Sequence, residues 1–147
     1  MKLRVNDCLK YWRVIRYFVK RKHGLTTCDL EMLLFLYSED IFSKKKFVTY
    51  ASLLRWDRRR FQRLVDEGWI ELFRERNKQI KSLYSISFKI KRLCDSIYKK
   101  LSGEEIPTSL GSNPMFAKNV SYTDKVYRNM IVEMNEFIKQ QRRLSPE

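Results

Sequence analysis

Residues 58–72 read Arg58-Arg59-Arg60-Phe61-Gln62-Arg63-Leu64-Val65-Asp66-Glu67-Gly68-Trp69-Ile70-Glu71-Leu72. Turned at about 100° per residue, Phe61, Leu64 and Val65 share one face of a helix and must point to a core. Arg59 and Arg63 then point away, flanked by Gln62, Asp66, Glu67 and Arg60, with Arg58 on the shoulder. Asp57 is placed to cap such a helix and Gly68 to close it, so the stretch predicts a helix over 58–67. Trp69 to Arg74 follows as an apolar strand. Glu75 to Gln79 is a polar turn, and Ile80 to Ser87 is a second strand with Tyr84 and Ile86 facing inward. The turn lacks Asn-Gly, so the hairpin loop is longer than two residues.

Working upstream, Ser43 to Leu54 keeps a helical period through Phe47, Tyr50, Ala51 and Leu54. Before it, Thr26 or Thr27 caps a strongly apolar helix carrying Leu30, Leu33, Leu34 and Tyr37, with Asp29 and Glu31 in the first turn, where the dipole favours acids. Such a helix is buried on most sides. Asp7 to His23 is a helix with Leu9, Trp12, Ile15 and Val19 on its apolar side, ended by Gly24. Downstream, Ser87 caps a helix to about Ser102, and Gly103 to Asn119 is loop-like. A last helix runs from about Tyr122 to Arg142 with Val126, Tyr127, Met130, Met134, Phe137 and Ile138 on one face.

Thirty-one Lys and Arg face seventeen Asp and Glu, a formal charge of +14 at pH 7. Self-repulsion of that size opposes compaction, and a polyanionic partner relieves it: nucleic acid, an anionic membrane surface or an acidic protein. From Lys44 to Arg63 eight basic residues meet only Asp57, a net +7, and from Met1 to His23 eight basic residues meet only Asp7, again +7. No apolar run approaches the roughly 20 residues of a membrane span. No apolar signal-peptide core accompanies the N-terminal basic residues, so a cytoplasmic location is expected. Cys8, Cys28 and Cys94 form no C-x-x-C pair or disulfide framework, and are read as buried thiols of a reducing compartment.

Three segments carry a family resemblance: LTTCDLEMLLFLYSED (25–40), RRRFQRLVDEGWIEL (58–72) and LYSISFKIKRLCDSIYKKLSGEE (83–105). They resemble the second helix, recognition helix and post-wing helix of MarR-type winged-helix regulators. The most specific piece is Arg63-Leu64-Val65-Asp66-Glu67-Gly68-Trp69-Ile70, which is similar to that family's passage from recognition helix to wing. One departure stands out: the wing reads Arg74-Glu75-Arg76-Asn77-Lys78-Gln79, without the Asp of the family's Asp-x-Arg signature. The expected fold is mainly α with a small β-hairpin. It is a winged helix-turn-helix with additional N- and C-terminal helices, in one domain over 1–147. The helix-turn-helix spans about 43–68, the wing about 69–87, and the terminal helices about 7–23 and 122–142. The resemblance implies that the terminal helices make a homodimer, with Leu9, Trp12, Ile15, Val126, Met130, Met134 and Phe137 as interface candidates.

The function expected is sequence-selective binding of double-stranded DNA by a transcriptional regulator, with the recognition helix in the major groove and the wing near the minor groove. Arg suits bidentate contact with guanine and Gln with adenine. Arg59, Gln62 and Arg63 are therefore expected at base edges. Lys44, Lys45, Lys46, Arg55, Arg58 and Arg60 are expected at phosphates, and Arg74, Arg76 and Lys78 of the wing beside them. Cations crowding a helix N-terminus run against the dipole, which favours a ligand-facing role. The alternative is a non-enzymatic structural, assembly or architectural protein, for example virus-encoded, that uses the same scaffold for nonspecific nucleic-acid or protein binding; RNA is a further polyanion. No enzyme is expected. His23 is the sole histidine and sits at a helix end, and no Gly-rich phosphate loop, H-E-x-x-H or Cys/His metal spacing occurs. No cofactor or metal is expected, and no residue marks an effector pocket.

Overall fold

The computed structural model describes residues 8–54, 56–57, 59–74 and 82–144. They form α1 (Cys8–His23), α2 (Thr27–Glu39), β1 (Ile41–Ser43), α3 (Lys44–Leu54), α4 (Arg59–Asp66), β2 (Ile70–Arg74), β3 (Leu83–Ile86), α5 (Phe88–Leu101), a 3-10 turn (Pro114–Phe116) and α6 (Tyr122–Leu144). The protein is mainly helical with a small antiparallel sheet. No described helix is long and apolar enough to cross a membrane.

Helix ends follow local chemistry. Asp57 accepts the Arg59 backbone N–H at 2.9 Å and so caps the first turn of α4. Gly68, at φ 80°, closes the same helix: its N–H reaches the Val65 carbonyl at 3.1 Å, and the Trp69 N–H reaches that of Leu64 at 2.8 Å. That paired return needs a left-handed residue, which glycine supplies without a Cβ clash. Gly24 ends α1 in the same conformation, with φ 66°. Ser43, Ser87 and Ser121 accept backbone N–H groups three residues on, at the starts of α3, α5 and α6.

The chain divides into two compact units, Cys28–Asp95 and Met1–Thr27 with Ser96–Glu147. In the first, the sheet runs in the order β1-β3-β2, with both pairs antiparallel. The sequence predicted only the β2–β3 hairpin. β1 is a third strand, pairing Ile41 with Ser85, Phe42 with Tyr84 and Ser43 with Leu83. A register shift between Leu72 and Arg74 bulges β2. The core is aromatic: Phe47 lies 5.0 Å from Phe61, and Phe61 meets Tyr84 edge-on at 4.9 Å. Edge and tilted contacts suit the ring quadrupoles. Phe61 and Leu64 are buried as the helical wheel requires, and Val65 is half-buried. These anchors fix which side of α4 faces out.

In the second unit, α1 and α6 pack on each other. Tyr17 stacks on Tyr127 at 3.8 Å. Asp124, almost fully buried, accepts from the Tyr17 hydroxyl and from Arg21 Nη2 at 3.1 Å. Burial first, and then the Asp124 hydrogen bond, push the Tyr17 hydroxyl up to about 12. The loop expected over 103–119 contains the 3-10 turn, whose Asn113 caps it by accepting from the Met115 N–H at 3.1 Å.

Candidate nucleic-acid interface

The outward side of α4 is where the sequence placed the contact residues. Arg59 is there: its side chain is 92% exposed, and its nearest carboxylate is the equally local Asp57, 3.4 Å away. A single exposed pair of this kind contributes little and is easily exchanged for another anion. The backbone N–H of Arg59, ahead of its side chain, holds the Asp57 carboxyl below the usual carboxylate range. Gln62 is exposed and donates to Asp66 Oδ1 at 2.8 Å, one turn on.

Arg60 and Arg63 require a correction. Arg60 Nη1 lies 2.5 Å from Asp29 Oδ1, and Arg63 Nη2 lies 2.8 Å from both Asp29 oxygens. Asp29, at the start of α2, is 5% exposed. A buried carboxylate without partners is costly, and two guanidiniums satisfy it. Burial acts to lower the Arg60 pKa, but the Asp29 hydrogen bond and charge outweigh it and hold it raised. Arg60 therefore serves the fold rather than standing free for phosphate. Arg63 does not point directly away. It is held from behind by Asp29, yet leaves its side chain 46% exposed. Part of the cation crowding at the α4 N-terminus thus answers an internal acid.

The signal for this pair was present in α2. Asp29 lies on the same helical stripe as Met32, Leu33 and Leu36, all fully buried. An acid on an apolar stripe demands a cation from elsewhere in the chain.

The lysine run separates into unlike members. Lys46 pairs with Glu39 at 2.6 Å; that hydrogen bond, ahead of one from Tyr50, lowers the Glu39 carboxyl and raises Lys46. Lys44 stands 5.8 Å over the Phe61 ring. Lys44, Lys45 and Arg74 are exposed and have no carboxylate partner among the described residues. Arg55, Arg58, Arg76 and Lys78 lie outside the described residues. The site left on this unit is Arg59, Gln62 and the outer half of Arg63 on α4, with Lys44 and Lys45 on α3.

The interface candidates on the terminal helices also divide. Ile15 and Met134 are buried within the chain itself, at 0% and 3% exposure, so neither is available to a second copy. Their side chains fall on the inner stripes of α1 and α6, where each helix packs on its own unit. Trp12 is half-buried, and Phe137 is half-buried against Tyr11 at 6.3 Å. Leu9, Val126 and Met130 are exposed.

Both compact units carry net positive charge. Residues 28–95 carry fifteen Lys and Arg against ten Asp and Glu, net +5. The other unit carries sixteen against seven, net +9. No protein-family model, curated protein or solved structure matches this chain.

Proposed function

We propose that this protein binds double-stranded DNA as a winged-helix transcriptional regulator of MarR type, with α4 as the helix that enters the major groove. The carrying observation is the pairing of buried Phe61 and Leu64 with outward Arg59 and Gln62 and half-exposed Arg63 on one short helix. The order α2, β1, α3, α4, β2, β3, with a sheet running β1-β3-β2, fits a helix-turn-helix followed by a wing. A major groove about 12 Å wide admits such a helix. Arg59 reaches a base edge or phosphate from the first turn. Arg63 offers the part of its guanidinium that faces neither Asp29 nor Glu67, whose Oε1 lies 3.9 Å from Nε, and the Asp29 bond limits its rotamers, which lowers the entropy lost on contact. Lys44, Lys45 and Arg74 neutralise phosphates on either side. The same reading has the protein acting as a homodimer on a pseudo-palindromic site.

A specific observation favours the second reading, nonspecific binding by an architectural protein. Gln62 is engaged with Asp66, and Arg63 with Asp29, so few base-reading groups are wholly free. The discriminating experiment is selection from a random duplex pool near physiological salt, followed by binding of R59A and Q62A. Enrichment of an inverted repeat, with preference weakened in either variant, supports the regulator. Equal binding to all duplexes supports the architectural protein, and no duplex binding at all defeats both.

A further inference from the structure

Helix α1 carries six basic residues and no acid across its sixteen positions. Arg21 among them is paired with the buried Asp124. Arg13, Arg16 and Lys20 fall at i, i+3 and i+7, which is one stripe of a helix. That stripe is separate from the one bearing Val14, Ile15, Phe18 and Val19, which are buried. Arg13 is exposed and Arg16 half-exposed, and neither has a carboxylate partner among the described residues. Lys20 donates to Thr27 Oγ1 at 2.6 Å, a neutral partner that leaves its charge intact.

We infer that this stripe of α1 is a second, sequence-independent phosphate-binding surface for duplex nucleic acid, distinct from α4. Three facts select the occupant. The unit holding α1 has the larger share of the net charge, +9 of +14. The cations are not neutralised at home, unlike Arg60 and Arg63, which face Asp29. A second copy of the chain would set the same cations against each other, and like charges placed together at an interface are strongly unfavourable. Over seven residues the stripe spans roughly 10 Å, enough for its cations to meet successive charges of a duplex bearing one per about 1.7 Å.

The inference shares its partner class with the proposed function, but its test does not depend on α4. Binding of a duplex of about 30 base pairs is followed by anisotropy across a salt series for wild type, R13Q/R16Q, R13K/R16K and R59A. Losing two phosphate contacts makes the slope of log K against log salt shallower by about 2, and weakens binding roughly tenfold near physiological salt. The loss is equal for selected and random duplexes, and R13K/R16K restores it. Unchanged slope and affinity in R13Q/R16Q, with melting unaltered, overturns the inference. So does loss of binding to phosphatidylserine vesicles with duplex binding intact, which would assign the stripe to a membrane. If R59A binds normally while R13Q/R16Q does not, the α4 reading falls and the α1 surface stands.

Discussion

Arg63 of α4 and Asp29 of α2 are joined, with one guanidinium nitrogen 2.8 Å from each carboxylate oxygen. The two residues stand thirty-four positions apart in the chain, so this contact ties α2 to α4. Replacing Asp29 with Asn keeps the shape and removes the charge. Arg60 and Arg63 then face a neutral acceptor in a poorly hydrated place. Loss of a buried partner of this kind costs about 1–3 kcal/mol, and the half-exposed Arg63 places the effect toward the lower end. Urea denaturation of D29N should show that loss, and an unchanged midpoint would mean the pair is idle.

Asp57 titrates with a consequence for α4. Its folded pKa is lowered, so the cap contributes stability above the ordinary carboxylate value, near about 3.9, and that contribution disappears as the pH falls through the lower folded value. D57A should therefore melt below wild type at neutral pH, and the two curves should converge in acid. A gap that stays the same size throughout the acid range would contradict the charged cap.

Tyr17 works in the opposite sense. Its folded pKa is raised to about 12 by burial and by Asp124, so the stability it provides is whole below the ordinary value of 10.0 and is lost as the pH rises toward 12. Ultraviolet titration of tyrosinate should show one late-ionising group that vanishes in Y17F. A wild-type curve without that late step would remove the Tyr17–Asp124 link as a determinant of α1–α6 packing.

Cys94 is buried, and burial pushes its thiol up to about 12. A thiol so protonated supplies almost no thiolate at neutral pH. Alkylation at about pH 8 should spare Cys94 until the chain unfolds, while half-exposed Cys28 reacts. Modification of Cys94 in the native protein would show that its surroundings open.

Self-association now has a narrower surface. With Ile15 and Met134 internal, the exposed apolar stripe of α6 is Tyr122, Val126 and Met130, spaced by four. Light scattering should give twice the 17.9 kDa chain mass, reduced to one chain in V126E/M130E. A single-chain mass for wild type at tens of micromolar would remove the homodimer.

Much of this architecture was legible because its signals are local. Gly24 and Gly68 stop helices by a conformation other residues disfavour, and Asp57 and Ser87 start them through their own side chains. β1 was not legible: three residues are too few for an alternation, and Phe42 owes its place to Tyr84, far along the chain. The outward direction of Arg59 followed from Phe61 and Leu64 alone. The capture of Arg60 and Arg63 did not, because a helical wheel reports direction and not the acid waiting on another helix.

The central claim, that the outward face of α4 contacts duplex DNA, is tested most directly by backbone amide spectra recorded while a duplex is added. The account predicts that Arg59, Gln62 and Arg63 shift with the added duplex, together with Lys44 and Lys45, while Leu64 and Phe61 move little. Shifts confined to α1, or no shifts on α4 at saturating duplex, would contradict it.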